Sequence, residues 1–552
     1  MTAAPGTIAD EVPAPRWIAA SLRENEGRDP LGLQTTTQDR LMPLLLPGIL
    51  ELSRRARYFA FHAFLLNEYK VRRLPADGKS LAAFIRRREW ELGLAVQRCP
   101  NGCGSSPVGA RRLGDIAEGT GPFPRGESVE SSFGGYGLYY RSPLIELGIV
   151  ARAGTMLGDQ PIPIDVLRAT ERARRLAATF RSAVEGTKYY QRFMWTGDPV
   201  PATVIDEYAG VACLCLLRER PDERDAVHDA IFGSDPPVAR EDDEPGPGVS
   251  AALNAGAVQR RRSVGHYLSL VATDPNVPWS GRAYRDALWS YPDPRSDGHA
   301  LVAGQWAALI AKDVWQEVIC SVWSQFCRAG LARSRDLGRG LAHSEVRDVA
   351  SSMVGGPPAW ASGYPTAAIA AALEAAALTV PDRDGEDIDV ATASLDALRW
   401  LTAELDTATS AVVVLLELAR RTKGRSDPGW VKASRVRSAW QPSVAEVLAG
   451  VGEHLDGQPS IGETLWWLVS RFVVPVHERI AYSKLPDFTF RFRWEEGLLR
   501  FYDHGIERFP LAAIRADPLS WITWDLGLWE GDEPNESRLT NRGTAFVHEV
   551  LG

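Results

Sequence analysis

The chain has 552 residues, with 62 Lys and Arg against 70 Asp and Glu, a formal net charge of −8, 45% apolar residues and 24% charged residues. This balance is ordinary for a globular protein and excludes a mainly disordered or fibrous chain. No apolar run approaches the roughly 18–20 residues that span a bilayer, since the best one, Ala411–Leu416, is cut off by Glu417.

In chain order, residues 1–35 are rich in Pro, Ala, Gly and charge and are expected to form an extended lead-in. They lack the basic start and apolar core of a secretory signal, so a cytoplasmic location is expected. Leu41–Arg73 is predicted to be one helix, and Leu81–Val96 a second with Arg86, Arg87 and Arg88 on a basic face. Residues 233–250 are acidic and rich in Pro and Gly, and read as an exposed linker. Beyond it, amphipathic spacing predicts helices over His299–Cys327, Ile388–Arg421 and Ile461–Tyr482. Phe488–Tyr502 alternates around Glu495-Glu496-Gly497, which is a hairpin pattern. The expected fold is therefore mainly α. Its expected domains are a basic helical domain (36–232), the linker (233–250), a Trp-rich helical domain (251–484) and a C-terminal module with the hairpin (485–552).

Two segments echo each other. Arg141–Gly154 is followed by a Gly- and Pro-rich break, a short strand ending at Thr170 and the helix Glu171–Phe180; Asp517–Gly531 is followed by a polar break, Ser537–Thr540 and the helix Asn541–Leu551. In each, a Leu-Gly ends a helix and a Thr stands where an N-cap is wanted. The order resembles the winged-helix pattern, with the first module at about 105–185. The whole chain resembles uncharacterised bacterial proteins that accompany phage-defence or mobile-element genes.

Between Arg40 and Tyr190 there are 23 basic and 14 acidic residues, a balance of +9, which leaves −17 for the rest. A basic module in an acidic protein is the footprint expected for phosphate contact. Arg86, Arg87, Arg88, Arg111, Arg112, Arg141 and Arg152 are the candidate DNA-binding residues. The second copy carries Asp517, Asp525 and Glu530, so Trp521, Trp524 and Trp529 are expected to dock a protein partner instead.

Signals for catalysis are sparse. Arg55, Tyr58 and His62 share one face of the first helix and could line a pocket. Gly78-Lys-Ser80 lacks the first Gly of a phosphate loop, Gly134–Gly137 is not expected to open a helix, and Glu495 and Glu496 with Lys484 make a thin nuclease candidate. Cys99-Pro-Asn-Gly-Cys103 looks like half a zinc knuckle, but no mate follows at short range, and Cys213 and Cys215 sit in an apolar stretch that reads as core. No metal or cofactor is therefore expected. The resulting expectation is a non-enzymatic DNA-binding or adaptor subunit of a larger bacterial assembly, with protein partners, duplex DNA at the N-terminal domain and no membrane. The alternatives are a metal-dependent nuclease with a site assembled from distant residues, and a pure scaffold.

Overall fold

A computed structural model describes residues 29–552 except 158–159, 234–246, 274–280, 291–293, 356–359, 382–386, 396–397, 399–400, 402–406, 486, 505–507, 532–533 and 535–537. The fold is mainly helical, with four two-stranded antiparallel pairs among the described residues. None of the described helices is long and apolar enough to cross a membrane. The chain divides into two compact units, residues 42–303 with 513–552, and residues 1–41 with 304–512. The expected boundaries differ from this division: residues on both sides of 233–250 belong to the first unit, and residues 513–552 return to it. Most of the expected linker, and the acidic run Arg240–Glu244 in it, lies outside the described residues.

In the first unit, α1 (Arg57–Val71) is buried nearly all round, Phe59, Ala60, Phe61, Ala63, Phe64 and Leu65 being almost inaccessible. The single helix expected over Leu41–Arg73 is broken before it. Pro47 disfavours helical backbone at Leu46, and Gly48 adopts a left-handed φ of 76°. Helix α2 (Gly78–Gln97) starts on an Asp77 cap, whose Oδ1 accepts from the Ser80 amide at 2.8 Å. Next come α3 (Ala110–Ala117), α4 (Arg141–Glu146) and the strands β1 (Val150–Ala151), β2 (Met156–Leu157), β3 (Gln160–Pro161) and β4 (Val166–Leu167). Then follow α5 (Glu171–Val184), α6 (Ala202–Ala212), α7 (Pro221–Phe232), α8 (Pro247–Thr273) and, from the C-terminal segment, α9 (Ala516–Asp525) and α10 (Asn541–Leu551). Helix α5 packs on α1 and α7, α2 on α6 and α3, and α8 on α10.

The two echoing segments have matching backbones. Gly148 ends the turn after α4 at φ 72°, and Gly527 the turn after α9 at φ 71°. The next amides close back on the helices, Ile149 N to Leu144 O at 2.9 Å and Leu528 N to Thr523 O at 3.0 Å. An antiparallel partner follows in both, Val150 with Leu167 and Trp529 with Leu539. Thr170 and Thr540 then cap α5 and α10 through their hydroxyls. The first copy has an additional hairpin, β2–β3, between its paired strands.

The second unit is organised on the helix Asp297–Leu337, 41 residues long, most of which belongs to it. Trp306, Trp315 and Trp323 on this helix are at most 1% exposed, so these indoles fill core rather than surface. The expected hairpin pairs Phe492–Glu495 with Leu498–Phe501. Glu496 (φ 52°) and Gly497 (φ 80°) make its two-residue turn, the positive-φ pair that matches strand twist. Arg493, Arg500 and Tyr502 engage Glu495, so the turn is a charge-paired hairpin end. The helix expected from Ile388 is corrected at its start, where 387–389 pair with 379–381 as strands; Leu395, Leu398 and Leu401 are helical, and a helix starts at Ala408 on a Thr407 cap. Ile461–Tyr482 is helical throughout but widens to a π-turn over Val469–Val473, just before Pro475, which cannot donate.

Candidate functional site

The site is built where α2, α6, α1 and α9 end close together. Arg98 at the end of α2 grips Asp206 of α6 with two hydrogen bonds of 2.6 and 3.0 Å, which brings the chain after each helix into register. After α2, the loop Cys99–Cys103 folds tightly. The Gly102 amide donates to Cys99 O, and Gly102 (φ 57°) and Gly104 (φ 62°) take backbone that favours glycine. After α6, Arg57 fixes the stretch that carries Cys213 and Cys215. Its guanidinium donates to the carbonyls of Val211 and Cys213 while paired with Glu223 at 2.7 and 2.8 Å, all of it buried.

The result is a cluster of four cysteine sulfurs, all within 4.8 Å of one another. Cys99 Sγ lies 3.8 Å from Cys215, Cys103 3.6 Å from Cys213, and Cys213 3.5 Å from Cys215. The hydrogen bond shared with Cys213 pulls the Cys215 thiol down to about 6, aided by Cys103, Cys99 and the charge of Arg55 and opposed by burial. Cys213 moves the other way, because it keeps the shared proton. Four soft donors this close together are a set that can hold a metal ion, at a place where none was expected. Only the first pair was readable as a half-site. Its mate lies over a hundred residues on, in a run whose apolarity concealed it.

A cleft of about 1210 Å³ opens beside the cluster, and Cys103 and Cys215 form part of its wall. Arg55 joins the two. Its Nη1 donates to Ser105 Oγ at 2.7 Å, which also contacts Cys103 Sγ, and its other nitrogens hold Asp525 at 3.0 and 2.8 Å. The guanidinium of Arg55 lies 5.2 Å from the Trp521 ring centre, and that of Arg218 lies 4.3 Å from that of Trp524. Arg54, half exposed and paired with Asp517, Tyr58 and Tyr139 complete the polar and aromatic lining.

Of the expected pocket residues, Arg55 and Tyr58 do line this cleft, although Arg55 precedes the helix. His62 does not; it is buried behind Tyr58, among Tyr58, Tyr136 and Tyr140. Burial pushes His62 down to about 3 and Glu89 up to about 8, so at 3.6 Å they face each other uncharged at neutral pH. The glycines 134 and 135 open a helical turn after all, and the amides of Gly135 and Tyr136 point at the Glu89 carboxyl. Of the expected docking indoles, Trp521 is partly exposed and Trp524 is 9% exposed. Trp529 is core, 0% exposed, and donates to Thr523 Oγ1 at 2.7 Å.

Of the seven DNA-contact candidates, four are ion-paired within the fold and one is buried. Arg86 pairs with Glu127, Arg87 with Glu91, Arg112 with Glu130 and Arg141 with Asp165. Arg88 is buried 4.4 Å from the Phe84 ring centre. Arg111 and Arg152 are exposed, with no ion-pair partner among the described residues. A count of charges does not register this internal pairing, which is why the +9 balance overstated the free cationic surface. No protein-family model, curated protein or solved structure matches the chain.

Proposed function

We propose that this protein is a non-catalytic, nucleic-acid-binding adaptor that takes single-stranded nucleic acid at the cleft beside the cysteine cluster. The observation that carries the reading is the partly exposed Trp521 indole beside the Arg55 guanidinium in one cavity, which also holds Arg218 against the buried Trp524 and has Arg54 in its lining. Aromatic faces stack unpaired bases at about 1–3 kcal/mol per base, and arginine adds charge toward the backbone. Paired strands hide those faces, so a cleft of this kind favours unpaired strands over duplex. The place of the protein in a larger phage-defence or mobile-element assembly is part of the same proposal and draws only on the sequence resemblance.

The test is a fluorescence titration with labelled single-stranded and duplex oligonucleotides at low and moderate salt. The reading expects preference for single strands, weakening with salt, and a loss of about tenfold or more in Trp521→Ala. Equal duplex binding, or binding untouched by Trp521→Ala, overturns it. One feature favours a second reading, a protein segment in the cleft: Asp517 and Asp525 balance Arg54 and Arg55. Salt-independent capture of a stoichiometric partner, without nucleic acid, marks that outcome.

A further inference from the structure

We infer that Cys99, Cys103, Cys213 and Cys215 bind one zinc ion as a closed, structural tetrathiolate centre that staples the wall of the cleft. The inference stands apart from the nucleic-acid reading, because it rests on the sulfurs themselves.

The geometry is that of a single small ion. A tetrahedron with Zn–S bonds of about 2.3 Å has edges of about 3.8 Å. Three of the sulfur separations are 3.5, 3.6 and 3.8 Å, and all fall within 4.8 Å. The four thiols surround a common point instead of forming two isolated couples, and none is in a disulfide. Sulfur is a soft donor that selects zinc over calcium or magnesium.

The surroundings suit thiolates. Four thiolates around a divalent ion leave two negative charges. Arg55, itself paired with Asp525, reaches the centre through Ser105 and Cys103 and places a hydrogen-bond donor chain on its cleft side. With four protein ligands the centre has no open position for water or substrate, which separates structural from catalytic zinc.

The role follows from what is joined. The ligands come from two short segments, the loop after α2 and the turn after α6. Cys103 and Cys215, one from each, both line the cleft. An ion shared by the two segments fixes their spacing and so fixes the cleft wall. Apart from the ion, Arg98 through Asp206 and Arg57 through the Val211 and Cys213 carbonyls hold the two segments.

The experiment uses the full chain, purified without chelator. Elemental analysis is expected to give one zinc per chain, and a mercurial thiol reagent to release that equivalent to a chromogenic indicator. Replacement of zinc by cobalt is expected to give thiolate-to-cobalt charge transfer and the visible bands of a tetrahedral site. Cys99→Ser and Cys215→Ser each lose the zinc equivalent, while Cys320→Ser, a buried cysteine outside the cluster, keeps it. If the ligand variants do not fold, the cobalt spectrum of the wild-type chain decides. Iron in place of zinc, zinc well below one per chain with no cobalt bands on reconstitution, or bands of a site with fewer than four thiolates overturns the inference.

Discussion

Arg55 and Asp525 lie 470 positions apart and are joined by two hydrogen bonds of 3.0 and 2.8 Å, with side chains 7% and 1% exposed. The same carboxylate also accepts from the Ala56 amide at 2.9 Å, so one aspartate fixes both the guanidinium and the start of α1. Removing one partner strands a buried charge. Asp525→Ala is expected to cost about 3–5 kcal/mol, and Arg55→Met with Asp525→Leu together much less. Urea unfolding of the two single variants and the double checks this; additive losses would contradict it.

Metal removal is expected to loosen the first unit selectively. Loss of the staple should cost at least about 2 kcal/mol, which lowers the melting temperature by about 3 °C or more for a unit of about 300 residues. Calorimetry before and after chelation, with zinc added back, reads the change and its reversal. A melting profile unaltered by a strong chelator that has demonstrably removed the ion would count against a stapling role.

The buried pair behind the cleft gives stability opposite slopes with pH. The folded chain keeps the Glu89 proton up to about pH 8, whereas the unfolded chain releases it near 4.5, so stability falls as pH rises across that window. Conversely, the unfolded chain protonates His62 near 6.5 and the folded one not until about 3, so stability falls as pH drops through that range. Each slope is at most about 1.4 kcal/mol per pH unit. Glu89→Gln should flatten the alkaline limb, and His62→Phe the acid limb, in denaturant titrations at a series of pH values.

Gly148 and Gly527 do the same work in the two echoing segments, and their alanine variants should cost similar amounts. A left-handed backbone penalises a β-carbon by about 1–2 kcal/mol. At Gly148 the new carbon would also meet Leu253 at 3.1 Å, which places that variant at the upper end. Thermal melts of the two variants give the comparison.

The three C-terminal indoles should separate by function. Trp529→Ala empties core and is expected to cost about 3–5 kcal/mol. Trp521→Ala, at a partly exposed position, should leave stability nearly unchanged while weakening ligand uptake. A large stability loss from Trp521→Ala would show that it serves packing alone.

The features that local chemistry dictates were legible in the sequence. The Thr170 and Thr540 caps, the Glu496-Gly497 turn and the repeated Leu-Gly at 147–148 and 526–527 all depend on a few neighbouring residues, and the chain shows them as expected. Long-range pairing was not legible. Cys99 and Cys103 announced half a site, but Cys213 and Cys215 joined it only because Arg98–Asp206 and Arg57–Glu223 bring α2, α6 and α1 together. Arginines counted as a cationic surface were already committed to carboxylates in the fold. His62 was placed on the right helix face, yet lies one layer too deep, because a helix wheel cannot tell a wall from what stands behind it.

The first unit is made from two stretches of chain, and its last stretch begins at residue 513. Asp525 is synthesised 470 residues after Arg55, so the guanidinium emerges early and waits in water for its carboxylate. The unit cannot close on that ion pair until its last stretch, from residue 513, has been made.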